Sequence, residues 1–235
     1  MDGKPSPAPI DRRVTFAVFS LLAGVLSGLF IVATLRAAPP QSPTEMLSFF
    51  RDNQTVYIFL AIVVQVWAVA SVPFVVCLGT VLGRKSGSLA QAATLLSAGG
   101  ILLLGFGVFT YIGAGLSIVA VSDLAPSPAD TTYQFAIWAN LSYYLTDPGL
   151  MTWGLGQFLF GWLAWKSNVL PDWLAVLGLI GGTAGLLTLA VYQSNLLALI
   201  QIGSFAVWGL ATAIGLLRGW DGRSSTRESE TGPTG

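Results

Sequence analysis

Few side chains in the apolar parts of this sequence have the chemistry to bind or transform a ligand. Asp147 stands before Pro148-Gly149, while Gln157 and Gln65 each lie inside an otherwise apolar run. An ionisable group at membrane depth is typical of a cation or proton site, so Asp147 is a candidate for such a site. An aspartate followed by proline is also typical of a helix start, where the carboxylate caps backbone N–H groups. Both interpretations of Asp147 stay open at this point.

The two glutamines fall on helical faces that carry small or apolar residues. These neighbours are Gly154, Gly161 and Ala164 for Gln157, and Ala68, Val72 and Gly79 for Gln65. Faces of this kind are typical of helix contacts in a membrane bundle. We predict that each glutamine makes an interhelical hydrogen bond worth roughly 0.5–2 kcal/mol. The alternative is a polar pocket in which Asp147, Gln157 and Gln65 line a substrate site.

The sequence also excludes several kinds of site. It contains no histidine, which rules out bis-histidine haem, histidine-based zinc or copper centres and a Ser-His dyad. Cys77 is the single cysteine, so no disulfide forms within the chain. The 11 basic and 11 acidic residues balance, which argues against binding nucleic acid. We therefore predict no metal, no cofactor and no nucleic-acid partner.

The elements that carry these residues must be membrane helices. Of the 235 residues, 54% are hydrophobic and 9% charged, against roughly 25% charged in a soluble domain. The hydrophobic residues form blocks near the ~20 residues that a helix needs to cross a bilayer. We predict an all-α, polytopic transmembrane bundle of about six helices over residues 14–35, 55–82, 89–121, 147–166, 173–192 and 196–217. Residues 1–13 and 218–235 are predicted tails around a membrane domain of residues 14–217, the second of them disordered.

The basic residues predict an orientation. Residues 131–146 are ambiguous, either an interfacial helix or an outer extension of the fourth helix, but in neither case a separate crossing. Six crossings then place two basic residues, Arg36 and Arg51, on one side. The other side holds nine: Lys4, Arg12, Arg13, Arg84, Lys85, Lys166, Arg218, Arg223 and Arg227. The positive-inside rule predicts that both termini are cytoplasmic.

Small residues recur at helical spacing on four of the predicted helices. They are Ser20, Gly24, Ser27 and Gly28; Ala93, Gly100, Gly107 and Ala114; Gly178, Gly181, Gly182 and Gly185; and Ala206, Gly209 and Ala213. Because lipid is as apolar as leucine, membrane helices associate through close backbone contacts at small residues. We call these four rows of small residues stripes, and they predict a compact bundle. Dimerisation through one of the stripes is the competing hypothesis.

The region from Asp147 onward resembles a known family. The similar segments are Asp147-Pro-Gly149, Gly154-Leu-Gly-Gln-Phe-Leu-Phe-Gly161, Trp165-Lys-Ser-Asn-Val-Leu-Pro171 and Leu177-Gly178. They are similar to an uncharacterised family of small bacterial multi-pass membrane proteins, a domain of unknown function, over about residues 147–185. That family often carries a histidine near this helix, which this chain lacks. The resemblance implies the bacterial inner membrane and supplies no reaction.

Three hypotheses for function follow. The first is a non-enzymatic helix bundle in the lipid bilayer with a structural or partner-binding role, where the partner is a second copy or another membrane protein. The second is a small transporter or ligand-binding protein with an outward-facing polar pocket at Asp147, Gln157 and Gln65. The third, an intramembrane enzyme, is least favoured because general acid–base groups are missing.

Overall fold

The computed structural model describes residues 12–36, 43–83, 87–121, 128–188, 190–191 and 195–218. All regular structure in these ranges is helical, which confirms the all-α prediction. The helices are α1 (Arg12–Arg36), α2 (Pro43–Asp52), α3 (Gln54–Leu82), α4 (Gly87–Val121), α5 (Pro128–Ser167), α6 (Asp172–Leu187) and α7 (Asn195–Leu217). The predicted tails, residues 1–13 and 218–235, lie almost wholly outside the described residues.

Five of the six predicted helices correspond to α1, α3, α4, α6 and α7, and all of these except α6 agree with the prediction within two residues at each end. The fourth corresponds to the second half of α5, because α5 runs without interruption from Pro128 to Ser167. Residues 131–146 are therefore an extension of the fourth predicted helix and not a separate interfacial helix. The fifth predicted helix was expected to reach residue 192, but α6 ends at Leu187.

Local sequence explains where α5 begins and ends. Its first residue is Pro128, whose fixed φ suits the first helical position and whose missing N–H costs nothing there. After Ser167, Asn168 adopts a positive φ of 52°, the left-handed conformation that ends many helices and that asparagine tolerates. Pro171 lies shortly beyond and cannot continue the helix. At about 1.5 Å per residue α5 is about 60 Å long, twice the hydrocarbon thickness of a bilayer.

Helix α2 lies between the first two predicted helices and was not predicted. Pro43 is the first residue of the helix, where proline is compatible with helical structure. Phe50 is fully buried, and its ring stacks on Tyr57 of α3 with centroids 4.1 Å apart. The ring also contacts Tyr111 of α4 and Phe135 of α5. These contacts anchor α2 to the bundle.

The long helices form a closed ring. In order around the ring, α1, α3, α4, α5, α6 and α7 each pack against the next, and α7 returns to pack against α1. Helices that follow one another in the sequence are therefore neighbours in space, as short connections favour. The α1–α7 contact, between the first and last helices described, closes the ring.

Glycines make the closest contacts in this ring. A Cβ placed at Gly24 of α1 would lie 2.8 Å from the Leu210 backbone nitrogen of α7, and one at Gly209 would lie 2.8 Å from the Gly24 nitrogen. Gly161 of α5 and Gly178 of α6 meet in the same way. Most of the small residues in the predicted stripes thus lie in helix contacts. Gly28 is an exception, since no atom lies within 4 Å of its Cβ position.

Aromatic side chains fill the centre of the ring. Trp67 of α3 and Trp153 of α5 lie edge to face with ring centroids 5.5 Å apart. Phe205 of α7 lies edge to face with Trp153 at 5.0 Å and with Phe74 of α3 at 5.4 Å. All four residues are at most 2% exposed. Edge-to-face contacts add to the burial of aromatic area, so this cluster ties three alternate helices of the ring together.

Four of the described helices are long and apolar enough to cross a membrane: Arg13–Leu35, Gln54–Leu82, Gly87–Ala120 and Asn195–Leu217. Helix α6 is equally apolar but has 16 residues, about 24 Å of helix, which is short for a ~30 Å hydrocarbon core. The exposed side chains of the four long helices are largely apolar. This surface suits lipid, and the chain is accordingly a membrane protein built as an all-α bundle.

Candidate functional site

Gln157 lies deep in the bundle on α5. Its side chain is 1% exposed, and its Nε2 donates a hydrogen bond to Ser204 Oγ of α7 at 2.7 Å. The residues that share its predicted face also lie in contacts, since Gly154 and Gly161 both pack against the α6 backbone. The face of α5 that carries Gln157 is therefore an internal, interhelical face.

Ser204 extends this contact along α7. Its hydroxyl donates to the Gln201 carbonyl at 2.8 Å while accepting from Gln157. Gln201 is fully buried, and its Nε2 donates to the Leu150 carbonyl of α5 at 3.0 Å. We call Gln157, Ser204 and Gln201 the amide seam. It joins α5 to α7 through two contacts, one at Leu150 and one at Gln157. Seven residues of α5, about 10 Å of helix, separate these two positions.

Two glycines of α6 provide the space for the amide seam. A Cβ at Gly185 would lie 2.5–2.7 Å from the amide atoms of Gln201, and one at Gly181 would lie 2.5 Å from Gln157 Nε2. Any larger residue at either position would collide with the seam. The glycine-rich sequence of α6 thus lets two bulky polar side chains pass between three closely packed helices.

Three buried polar atoms on or next to the seam have no hydrogen-bond partner among the described residues. They are Gln157 Oε1, Gln201 Oε1 and Trp153 Nε1. Trp153 lies on α5 between Leu150 and Gln157, and its ring contacts Phe205 beside Ser204. A buried polar atom left without a partner costs roughly 1–3 kcal/mol, so each such atom calls for a physical explanation.

Gln65 lies elsewhere in the ring. It is partly buried on α3, and its Nε2 donates to the Gly105 carbonyl of α4 over a long 3.4 Å. Gln65 and Gln157 therefore bond to different neighbours, and no described hydrogen bond joins them. The polar pocket that combines Asp147, Gln157 and Gln65 stays a prediction.

Asp147 does not begin a helix. It lies in the interior of α5, nineteen residues after Pro128, with Pro148 continuing the helix behind it. The interpretation of Asp147 as a cap is therefore wrong, because the N–H groups that a cap would satisfy are already within helical structure. Its side chain is half-buried. About 15 Å of helix separates it from Gln157, so the two are not neighbours.

Gln201 and Ser204 were not among the residues predicted to form a site. A signal was available, because Gln201, Ser204, Trp208 and Thr212 follow one another at spacings of three, four and four residues. This spacing places them on one helical face. All four are buried, and the Trp208 indole donates to the Leu174 carbonyl of α6. In the part of the chain that the structure describes, no three metal-ligating side chains come together.

The fold and the seam define an all-α membrane bundle with a neutral polar interior contact. The model of a family described as "Domain of unknown function (DUF4386)" matches residues 15–218, which include nearly all of α1 and all of α2 to α7. The chain belongs to this family. The match confirms the resemblance seen at residues 147–185 and extends it over most of the chain. No curated protein and no solved structure matches the chain.

Proposed function

We propose that this protein is a multi-pass protein of the bacterial inner membrane with both termini in the cytoplasm. In this proposal it acts without catalysis, by binding another membrane protein or a second copy through the outer surface of its bundle. The observation that carries the proposal is the filled centre of the helix ring, where Trp67, Trp153, Phe74 and Phe205 pack against one another. Such packing supports a rigid scaffold whose interactions are made at its outer surface.

The exposed tryptophans support the orientation. Trp162, Trp165 and Trp173 are about half exposed, and they lie close in sequence to Lys166. The Lys166 ammonium lies 4.9 Å from the centre of the Trp162 ring. Tryptophan and lysine are typical of a membrane–water interface. Their clustering around the end of α5 favours an interface there, on the side that carries most basic residues.

Photo-crosslinking in living cells tests the partner-binding role. A photoreactive phenylalanine analogue would be placed at one exposed position on each ring helix: Val32, Val69, Phe106, Trp138, Ile180 and Ile214. We expect protein adducts of one discrete mass at positions on adjacent helices. Phe74, which is fully buried, is the control and should give no intermolecular adduct.

Two results would contradict the proposal. One is that none of the six exposed positions gives a protein adduct while the variants insert at wild-type levels. The other is a solute flux into proteoliposomes that saturates with concentration, because a filled ring should not conduct. The second result would favour a transporter.

A further inference from the structure

The unpartnered atoms of the amide seam share one chemical property. Gln157 Oε1 and Gln201 Oε1 are both amide carbonyl oxygens, and each accepts hydrogen bonds without being able to donate one. Both side chains are at least nine-tenths buried, so bulk solvent does not reach them. Each amide already uses its Nε2 on a neighbouring helix, which fixes the orientation of the free oxygen.

The charge of the seam limits what could satisfy these oxygens. Its three side chains are uncharged. Asp147 lies about 15 Å along α5 from Gln157, and one helical turn from Leu150, whose carbonyl accepts from Gln201. A bare ion held at Gln157 Oε1 would lose its hydration without an opposite charge beside it. An uncharged molecule with N–H or O–H groups meets the requirement of both acceptors at a much smaller desolvation cost.

We propose that the amide seam binds small uncharged hydrogen-bond donors between α5, α6 and α7, one at Gln157 Oε1 and one at Gln201 Oε1. Two sources share this chemistry, namely water itself and a small solute with amide or hydroxyl groups. The site borders the aromatic centre of the ring, because Trp153 lies on α5 between Leu150 and Gln157 and its ring contacts Phe205 beside Ser204. It goes beyond the proposed partner-binding function, which requires no internal ligand.

Nuclear magnetic resonance on the wild-type protein in lipid nanodiscs tests the site directly. Glutamine side-chain NH₂ groups would be labelled with ¹⁵N and assigned through Gln157→Met and Gln201→Met, which keep side-chain length but lose the amide. We expect magnetisation transfer to both NH₂ groups from a bound molecule. Transfer from water alone would identify water, and transfer from the methyl protons of added acetamide would identify a solute site.

Absence of transfer from both water and acetamide would overturn the proposal. A second measurement uses Ser204→Cys in a Cys77→Ser background with methyl methanethiosulfonate, a small uncharged thiol reagent. A thiol in a dry apolar site reacts poorly because it resists ionisation, so Ser204→Cys should react about ten-fold faster than Ala213→Cys on the same helix. Ala213 is as fully buried as the seam residues. Equal rates for the two variants would count against a hydrated seam.

Discussion

Replacing Gly24 and Gly28 of α1 separately by alanine tests the glycine-mediated closure of the ring. At Gly24 the new Cβ would lie 2.8 Å from the Leu210 nitrogen and 2.9 Å from the Ala206 oxygen of α7. Ordinary contact begins at 3.4 Å, so α1 and α7 must separate by 3.4 − 2.8 = 0.6 Å. These are backbone atoms, which a rotamer change cannot move. Overpacking of this kind costs typically 1–3 kcal/mol.

Gly28 is the matched control, because it lies one turn further along the same helix and no atom stands within 4 Å of its Cβ position. Both substitutions gain the same helix propensity, roughly 0.5–1 kcal/mol. That gain cancels in the comparison. Gly28→Ala should therefore be neutral or stabilising, and Gly24→Ala should be less stable than Gly28→Ala by about 1–3 kcal/mol.

The assay is reversible unfolding in mixed micelles, followed by circular dichroism as the fraction of denaturing detergent rises. The quantity to compare is the difference in free energy of unfolding between the two variants. Values that agree within about 0.5 kcal/mol, the usual range of a surface substitution, would show that α1 and α7 do not pack through Gly24.

Three further predictions concern orientation, Asp147 and the seam. With the native cysteine replaced by serine, an impermeant thiol reagent on intact cells should label Ser42→Cys and not Ser225→Cys; the opposite pattern would overturn the orientation. Because Asp147 lies inside α5, Asp147→Ala should be at least as thermally stable as Asp147→Asn, since alanine has the higher helix propensity, whereas a cap would make alanine worse by roughly 0.5–2 kcal/mol. A double-mutant cycle of Gln157→Met and Ser204→Ala should give a coupling of about 0.6 and at most about 1.7 kcal/mol, and a coupling of zero would refute the hydrogen bond.

Apolar length predicted the helices well where a helix is continuously apolar. Residues 55–82 and 196–217 differ from α3 and α7 by one residue at the start. Apolar length did not predict where α5 begins. Asp147-Pro148 is a strong signal for a helix start, and only the packing of α5 against α4 shows that the helix continues through it. Ser142 bonds to the Gly107 carbonyl, and Gly149 packs against the Leu104 backbone, so α4 supports α5 on both sides of the proline.

Of the three residues of the amide seam, the sequence predicted only Gln157. Periodicity placed Gln157 on an internal face, since its helical neighbours at three and four residues are glycines. Its partner could not be found this way, because the pairing of α5 with α7 depends on how the ring closes. Helix α2 escaped prediction for another reason. Its ten residues are too few to form an apolar run, and its stability comes from the burial of Phe50 by three other helices.

Closure of the ring between α1 and α7 has a consequence for biogenesis. Ser20 and Gly24 of α1 contact Gly209 and Leu210 of α7, which are synthesised last among the described helices. As the chain leaves the ribosome, α1 enters the bilayer while its eventual partner is still unmade. Its glycine face must then be covered by lipid or by an insertion factor until α7 arrives. Arrest of translation before α7 would leave an open arc of helices with α1 and α6 at its free edges. Both edges would expose glycine backbone, and Gln157 on the inner face of α5 would lack its partner Ser204.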